Sequence, residues 1–186
     1  MSVRTQKDAL RKHLLEKRDA TSAELRDISS NKIYQNLKQV DSYINSQNIA
    51  CYFPIGSEVD THSIMLDVLE RGKNMILPKI IDSNLEFYVI PNLGKLEKGR
   101  FDIMEPKDSC KKAEKIDCIL VPTVGISKSG DRLGYGRGYY DKFLSSTNAM
   151  KISLTYSKQI IKSIPIDTHD IKIDLIITED EIIKTS

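Results

Sequence analysis

Short apolar runs recur along this chain, separated in several places by stretches of helical periodicity. This pattern constrains the fold more tightly than any single residue does. The run 48–53, Asn-Ile-Ala-Cys-Tyr-Phe, has the composition of a buried strand and ends at Pro54 and Gly56. Further strands are expected at 74–77, 85–90, 117–121, 151–156 and 175–178. From about residue 5 to residue 40 the spacing predicts helix, first through Leu10, Leu14 and Leu15, then through Ile33, Tyr34 and Leu37, with a break at Ser22 and Glu24. Asp60 is placed as the N-cap of another helix. Val59 and Ile64 are spaced for a hydrophobic staple, and Ile64, Met65, Val68 and Leu69 form one face before Gly72. Such alternation predicts an open α/β sheet with helices on both faces and ligands bound in loops at the strand ends. The segment 91–115 is polar and irregular, and a connection of that length is expected to be a loop bordering the site.

The 186 residues suffice for one compact domain with a real core, and 40% hydrophobic with 29% charged residues is ordinary for a soluble protein. Lys and Arg number 28 against 26 acidic residues, too balanced for bulk attraction to nucleic acid. Cys51, Cys110 and Cys118 are odd in number and lack Cys-x-x-Cys spacing, which argues against a disulfide framework or structural zinc. No apolar stretch approaches the roughly 20 residues needed to span a bilayer, and the polar N-terminus lacks a signal-peptide core. The expectation is a soluble cytoplasmic protein with no membrane partner.

The chemistry concentrates in Asp131-Arg-Leu-Gly-Tyr-Gly-Arg-Gly-Tyr-Tyr-Asp141. Gly134, Gly136 and Gly138 allow unusual backbone dihedrals and close ligand approach, while Arg132 and Arg137 supply planar donor forks suited to phosphate. The sequence after the loop is compatible with helix through Leu144, so the loop is expected to deliver its amides to a helix N-terminus, where anions bind well. The spacing matches neither the Walker loop nor the dinucleotide fingerprint, and a solvated glycine turn has the same composition. Lys7 and Arg11, four apart on the first helix, could hold the same anion, although such pairs are commonly a solvated face. Glu58 follows the first strand, either as a ligand contact or as an acid favoured ahead of a helix. Asp174 interrupts the apolar run 171–177. His13, His62 and His169 show no metal-ligand spacing, and no nucleophilic triad can be assembled. Carboxylates near phosphate point instead to magnesium.

Together these segments resemble the 5-formyltetrahydrofolate cyclo-ligase family, whose members are also called methenyltetrahydrofolate synthetases. The resemblance runs almost end to end. It rests on Lys7-Asp-Ala-Leu-Arg11, Glu58-Val-Asp-Thr61, Phe101-Asp-Ile-Met-Glu-Pro106, Val121-Pro122 with the segment from Gly130 to Asp141, and Asp174. It implies a three-layer α/β fold in one domain spanning residues 1–186, with ATP as co-substrate and Mg2+ as cofactor. The implied reaction converts 5-formyltetrahydrofolate to 5,10-methenyltetrahydrofolate through a phosphorylated formyl intermediate, with release of ADP and phosphate. ATP contacts are implied for Lys7, Arg11, Arg132, Leu133, Gly134, Tyr135, Gly136, Arg137, Gly138, Tyr139 and Tyr140. Folate contacts are implied for Phe53, Glu58, Phe101, Tyr135, Gly136, Arg137, Gly138 and Tyr139, with Glu58 accepting from pterin nitrogens. Magnesium is implied at Asp141 and Asp174. Tyr139 is expected nearest the formyl group, with Arg137 as the second catalytic candidate. The partners expected are ATP and a folate, with or without a polyglutamate tail, and the chain is expected to be a monomer.

Two other readings use the same residues. A sugar-phosphate isomerase could employ the glycine and arginine loop without ATP. A nucleic-acid module could use Arg132, Arg137, Tyr139 and Tyr140 for phosphate contacts and stacking, but the balanced charge disfavours it.

Overall fold

The computed structural model describes residues 2–185, with the side chain of Phe101 outside the described set. In chain order, helices α1 (Val3–Asp19), α2 (Ala23–Leu37) and α3 (Asp41–Ile44) lead into strand β1 (Asn48–Ala50), helix α4 (His62–Glu70) and the hairpin β2 (Asn74–Ile81) and β3 (Asn84–Ile90). A small hairpin of β4 (Leu96–Lys98) and β5 (Met104–Pro106) precedes β6 (Lys111–Lys112) and β7 (Cys118–Val121). Then come β8 (Gly125–Ser127), β9 (Arg132–Leu133), helix α5 (Tyr139–Leu144), β10 (Met150–Leu154), β11 (Ile160–Ile161), β12 (Leu175–Ile177) and β13 (Ile182–Lys184).

The main sheet has the order β13-β12-β10-β7-β1-β2-β3-β6. Neighbours from β12 through β2 run parallel, and antiparallel strands flank them. Successive side chains on a strand point to opposite faces, and the inner strands are apolar on both. Ile49, Met75, Leu77, Cys118, Leu120, Ile152 and Ile177 join one core with α2 and α4, through Ile33, Leu37, Ile64, Met65 and Val68. Ala50, Ile76, Ile119, Val121 and Ile176 join the other with Leu144 of α5. This is the three-layer arrangement expected. Helix α1 lies over a separate small sheet, β11-β8-β9, through Leu14, Val124 and Leu133. Among the described residues, no helix is long and apolar enough to cross a membrane.

Topology positions the site. The β1-α4-β2 unit uses one face, and β7-α5-β10 leaves in the other direction on the opposite face. The strand order therefore reverses between β1 and β7, and ligands of open α/β sheets bind beyond the carboxyl ends of the strands at such a point.

Several expectations are corrected. Ser22 does cap α2, its side chain accepting from Leu25 N–H. The N-cap of α4, however, is Thr61 rather than Asp60; the Thr61 hydroxyl donates to the Tyr52 carbonyl, while Asp60 accepts from His62 N–H one step in. The segment 91–115 is not irregular throughout, because it contains β4, β5 and β6. Strand β1 is shorter than its apolar run: its ladder to β2 ends at Ala50, with Cys51 N–H still donating to the Ile76 carbonyl. On β2 the residues that face β1 are therefore Ile76, Pro78 and Ile80. Pro78 has no N–H to leave unpaired, and Ile80 N–H is taken by Glu105 Oε1 of β5 at 3.3 Å. The gap beyond β1 is where the cleft opens.

Candidate active site

A cleft of about 270 Å³ lies at the carboxyl ends of β1, β2 and β7. It is lined by Phe53, Glu58, Arg132, Gly134, Tyr135, Arg137, Tyr139, Tyr140 and Asp141 among the expected residues. The remaining wall is mostly apolar, with Ile55, Pro78, Ile80, Leu85, Ile103 and Met104. Sequence patterning gave little signal for this wall, because these residues come from the loop after β1, from β2 and β3, and from the turn into β5. Only the quoted segment 101–106 hinted at it.

Glu58 is 8% exposed and held on both oxygens. Oε2 accepts from Ile55 N–H at 2.9 Å, and Oε1 accepts from the Tyr135 hydroxyl at 2.8 Å. Burial pushes its carboxyl above the ordinary glutamate value, against the pull of those two hydrogen bonds and of Arg18. The reading of Glu58 as an acid merely favoured near a helix does not account for this enclosure. The Tyr135 hydroxyl also accepts from Arg18 at 2.9 Å, a residue that sequence reasoning passed over.

The glycine loop divides its labour differently from the expectation. Gly136 and Gly138 adopt left-handed backbone, at φ of 85° and 71°, and Gly138 is the N-cap of α5. Gly134 is not left-handed; its constraint is space, since a Cβ there would stand 2.5 Å from the Arg132 guanidinium. Arg11 donates from Nε to the Gly134 carbonyl at 2.8 Å and lies under Gly136, where a Cβ would come within 3.0 Å of it. Arg132 is buried and bridges two walls, donating to the Pro122 carbonyl at 3.1 Å and to Asp141 Oδ1 at 2.9 Å. The Tyr140 hydroxyl is buried with no hydrogen-bond partner among the described residues, a donor of the kind that ligands satisfy.

Other expected residues stand apart. Leu133 is buried under α1, so its side chain serves packing. Lys7 pairs with Asp170 and does not line the cleft. Phe101 falls in the turn 100–102, and its side chain lies outside the described residues. Asp141 is on the cleft, but Asp174 precedes β12 at the amino-terminal edge of the sheet, where Oδ2 accepts from Lys151 N–H at 2.8 Å. The geometry therefore does not bring Asp141 and Asp174 together, because the sheet's length separates them. No group of three or more His, Cys, Asp or Glu side chains able to hold a metal occurs among the described residues. Asp141 still fits a magnesium ion that takes one carboxylate from the protein and its other oxygens from substrate phosphates and water. Burial raises the Cys51 thiol to about 12, which removes it as a nucleophile.

Comparison with known proteins places the chain among relatives of one kind. A model of the 5-formyltetrahydrofolate cyclo-ligase family matches residues 3–179. A 5-formyltetrahydrofolate cyclo-ligase from Mus musculus is 30% identical, with 97% of both chains covered, and one from Mycoplasma genitalium is 32% identical over 92% of this chain and 96% of that one. The NMR structure of Aquifex aeolicus 5,10-methenyltetrahydrofolate synthetase superposes with a TM-score of 0.88 at 36% identity, covering 96% of this chain and 92% of that chain. A 5,10-methenyltetrahydrofolate synthetase structure from Mycoplasma pneumoniae gives 0.75 at 31% identity, covering 93% and 98%.

Proposed function

The chain belongs to the 5-formyltetrahydrofolate cyclo-ligase family, and from that premise we propose that it uses ATP to convert 5-formyltetrahydrofolate to 5,10-methenyltetrahydrofolate, releasing ADP and phosphate. The observation that carries this reading is the cleft itself. A buried, doubly held carboxylate faces an apolar wall on one side and an arginine-bearing glycine loop on the other. A reduced pterin needs the first pair of features, and a triphosphate needs the last.

The chemistry explains the second substrate. A formyl oxygen is a poor leaving group. Its attack on the γ-phosphorus forms an O–P bond and breaks the bond to ADP, leaving an iminium carbon that the nitrogen at position 10 can capture. Loss of the proton from that nitrogen and of phosphate, which carries the former formyl oxygen away, then yields the methenyl bridge. The protein's part in phosphoryl transfer is positioning and charge stabilisation.

In this reading Glu58 accepts from the pterin N–H groups, and Phe53 packs on the ring system with Phe101. Arg11, Arg132, Arg137 and the glycine-loop amides hold phosphate oxygens. The Tyr140 hydroxyl is available to donate into the cleft. Lys7 joins the nucleotide site by exchanging Asp170 for phosphate. Tyr139, the first residue of α5 and part of the cleft lining, is the candidate nearest the formyl group, beside Arg137. Asp141 would hold Mg2+ together with substrate phosphates, and the ion would supply charge neutralisation there. A polyglutamate tail and a monomeric state remain part of this proposal.

The test is the absorbance of the methenyl product when purified protein meets 5-formyltetrahydrofolate with and without magnesium and ATP. Growth of the band only with both supports the reading. A folded protein that forms no product would sink it, and isomerase activity on a sugar phosphate without nucleotide would replace it.

A further inference from the structure

Arg18 lies in the last turn of α1 and is 3% exposed. An arginine so deeply buried must spend its donors on the protein, and it does so on three separate segments. Nε donates to Ser57 Oγ at 2.8 Å, one residue before Glu58. Another nitrogen reaches the Thr123 carbonyl at 3.5 Å, just beyond β7. The third donates to the Tyr135 hydroxyl at 2.9 Å, in the exposed part of the glycine loop. The Tyr135 hydroxyl in turn donates its hydrogen bond to Glu58 Oε1 at 2.8 Å. Ser57 and Thr123 lie on the framework, so those bonds secure packing. The bond to Tyr135 is different, because it ties an exposed loop residue to the buried carboxylate.

We propose that Arg18 is a positioning residue for the reaction: by fixing the Tyr135 hydroxyl on Glu58 it sets the pterin acceptor and the nucleotide loop in one arrangement before either substrate binds. The proposal rests on the cyclo-ligase reading. Arg18 touches neither substrate and acts through two residues that line the cleft. Its charge also favours the ionised form of Glu58, which burial disfavours. The titratable groups beside Glu58 are Tyr52 and Cys51 just after β1, Tyr135 from the loop and Tyr140 from α5, and the cations Arg132 and Arg137 line the same cleft. Arg18 is a cation that pulls the Glu58 carboxyl down and is also tied to it through Tyr135.

The experiment compares wild type, Arg18→Lys, Arg18→Met, Tyr135→Phe and the Arg18→Met/Tyr135→Phe double variant by steady-state product absorbance across pH, after circular dichroism confirms folding. Arg18→Met and Tyr135→Phe are each expected to raise KM for 5-formyltetrahydrofolate by about tenfold or more, as for loss of a hydrogen bond to a charged group, with a much smaller change in kcat. In Arg18→Met the acid limb of kcat/KM moves to higher pH, because Glu58 protonates more readily once the neighbouring charge is gone. Arg18→Lys keeps the charge and loses the fork, so its acid limb stays near that of wild type while KM rises. The double variant is no worse than Arg18→Met, since both changes cut one chain of bonds. Unmoved KM values, or a KM rise with an unmoved acid limb and additive effects in the double variant, would overturn the proposal and leave Arg18 a packing residue. If Arg18→Met does not fold, Tyr135→Phe and Arg18→Lys decide by the KM-against-kcat split: a KM rise in both with little change in kcat upholds the proposal, and an unmoved KM in either overturns it. Wild type that forms no product overturns the cyclo-ligase reading itself, a result distinct from active wild type with unshifted variants.

Discussion

Two carboxylates mark opposite ends of the parallel sheet, and their environments differ in kind. Asp117 precedes β7 at the amino-terminal edge, where Oδ2 accepts from Gln47 N–H, Asn48 N–H and the Asn48 amide, and Lys115 pairs with Oδ1 at 2.7 Å. Those partners, with the Lys115 hydrogen bond the largest influence, lower its carboxyl to about 2. Glu58, beyond β1 at the carboxyl edge, is pushed the other way by burial. Folding gains from ionising Asp117 and resists ionising Glu58. The base of the sheet is thus arranged for stability, and the mouth tolerates an unfavourable charge that a ligand can use.

Substitutions at the two ends should separate function from stability. Glu58→Gln should cut kcat/KM for 5-formyltetrahydrofolate by about a hundredfold, because a charged acceptor inside an apolar wall is lost. A variant with near-normal folate kinetics would remove Glu58 from the pterin site. Arg137→Ala should raise KM for ATP by about tenfold with little change for folate, and unchanged nucleotide kinetics in a folded variant would count against the loop's role. Asp141→Asn should raise the magnesium concentration for half-maximal activity several-fold; an unaltered magnesium titration would exclude Asp141 as a ligand. Asp117→Asn should leave kcat and KM alone and cost about 1–2 kcal/mol, readable as a melting temperature lower by about 2–8 °C.

The pH dependence sharpens the contrast, because its sign reverses between the two ends. The advantage of wild type over Asp117→Asn is present above the ordinary aspartate value and fades as pH falls toward about 2. For Glu58 the folded protein holds its proton to higher pH than the unfolded chain does. Wild type therefore loses stability relative to Glu58→Gln as pH rises from the ordinary glutamate value through the raised one. Denaturant titrations of the three proteins at several pH values check both slopes, and slopes of one sign would erase the distinction.

Much of this architecture was legible because it is local. The apolar runs of β1, β2, β3, β7, β10 and β12 carry their own pattern, and the glycine loop announced both its left-handed turns and the start of α5. What escaped the sequence depends on partners distant in the chain. The strands β4, β5, β6, β8, β9, β11 and β13 are each two or three residues long, too short for a periodicity and defined only by what they pair with. Arg18 looked like any helix-face cation, because its role arises from Ser57, Thr123 and Tyr135 arriving from three later segments. Asp174 failed in the opposite direction: its position in the motif order suggested a shared metal site, while its place at the start of β12 gives it a strand's N–H to hold.

The early end of β1 also bears on the protein's behaviour among other chains. An exposed run of unpaired backbone groups is a template on which a foreign strand can add, and the stretch of β2 past Ile76 would be one. Pro78 offers no donor there, Ile80 has its donor occupied by Glu105, and Pro54 prevents the chain after β1 from supplying the missing ladder itself. The opening can therefore stay wet and accessible to small molecules without inviting either self-closure or strand-by-strand association.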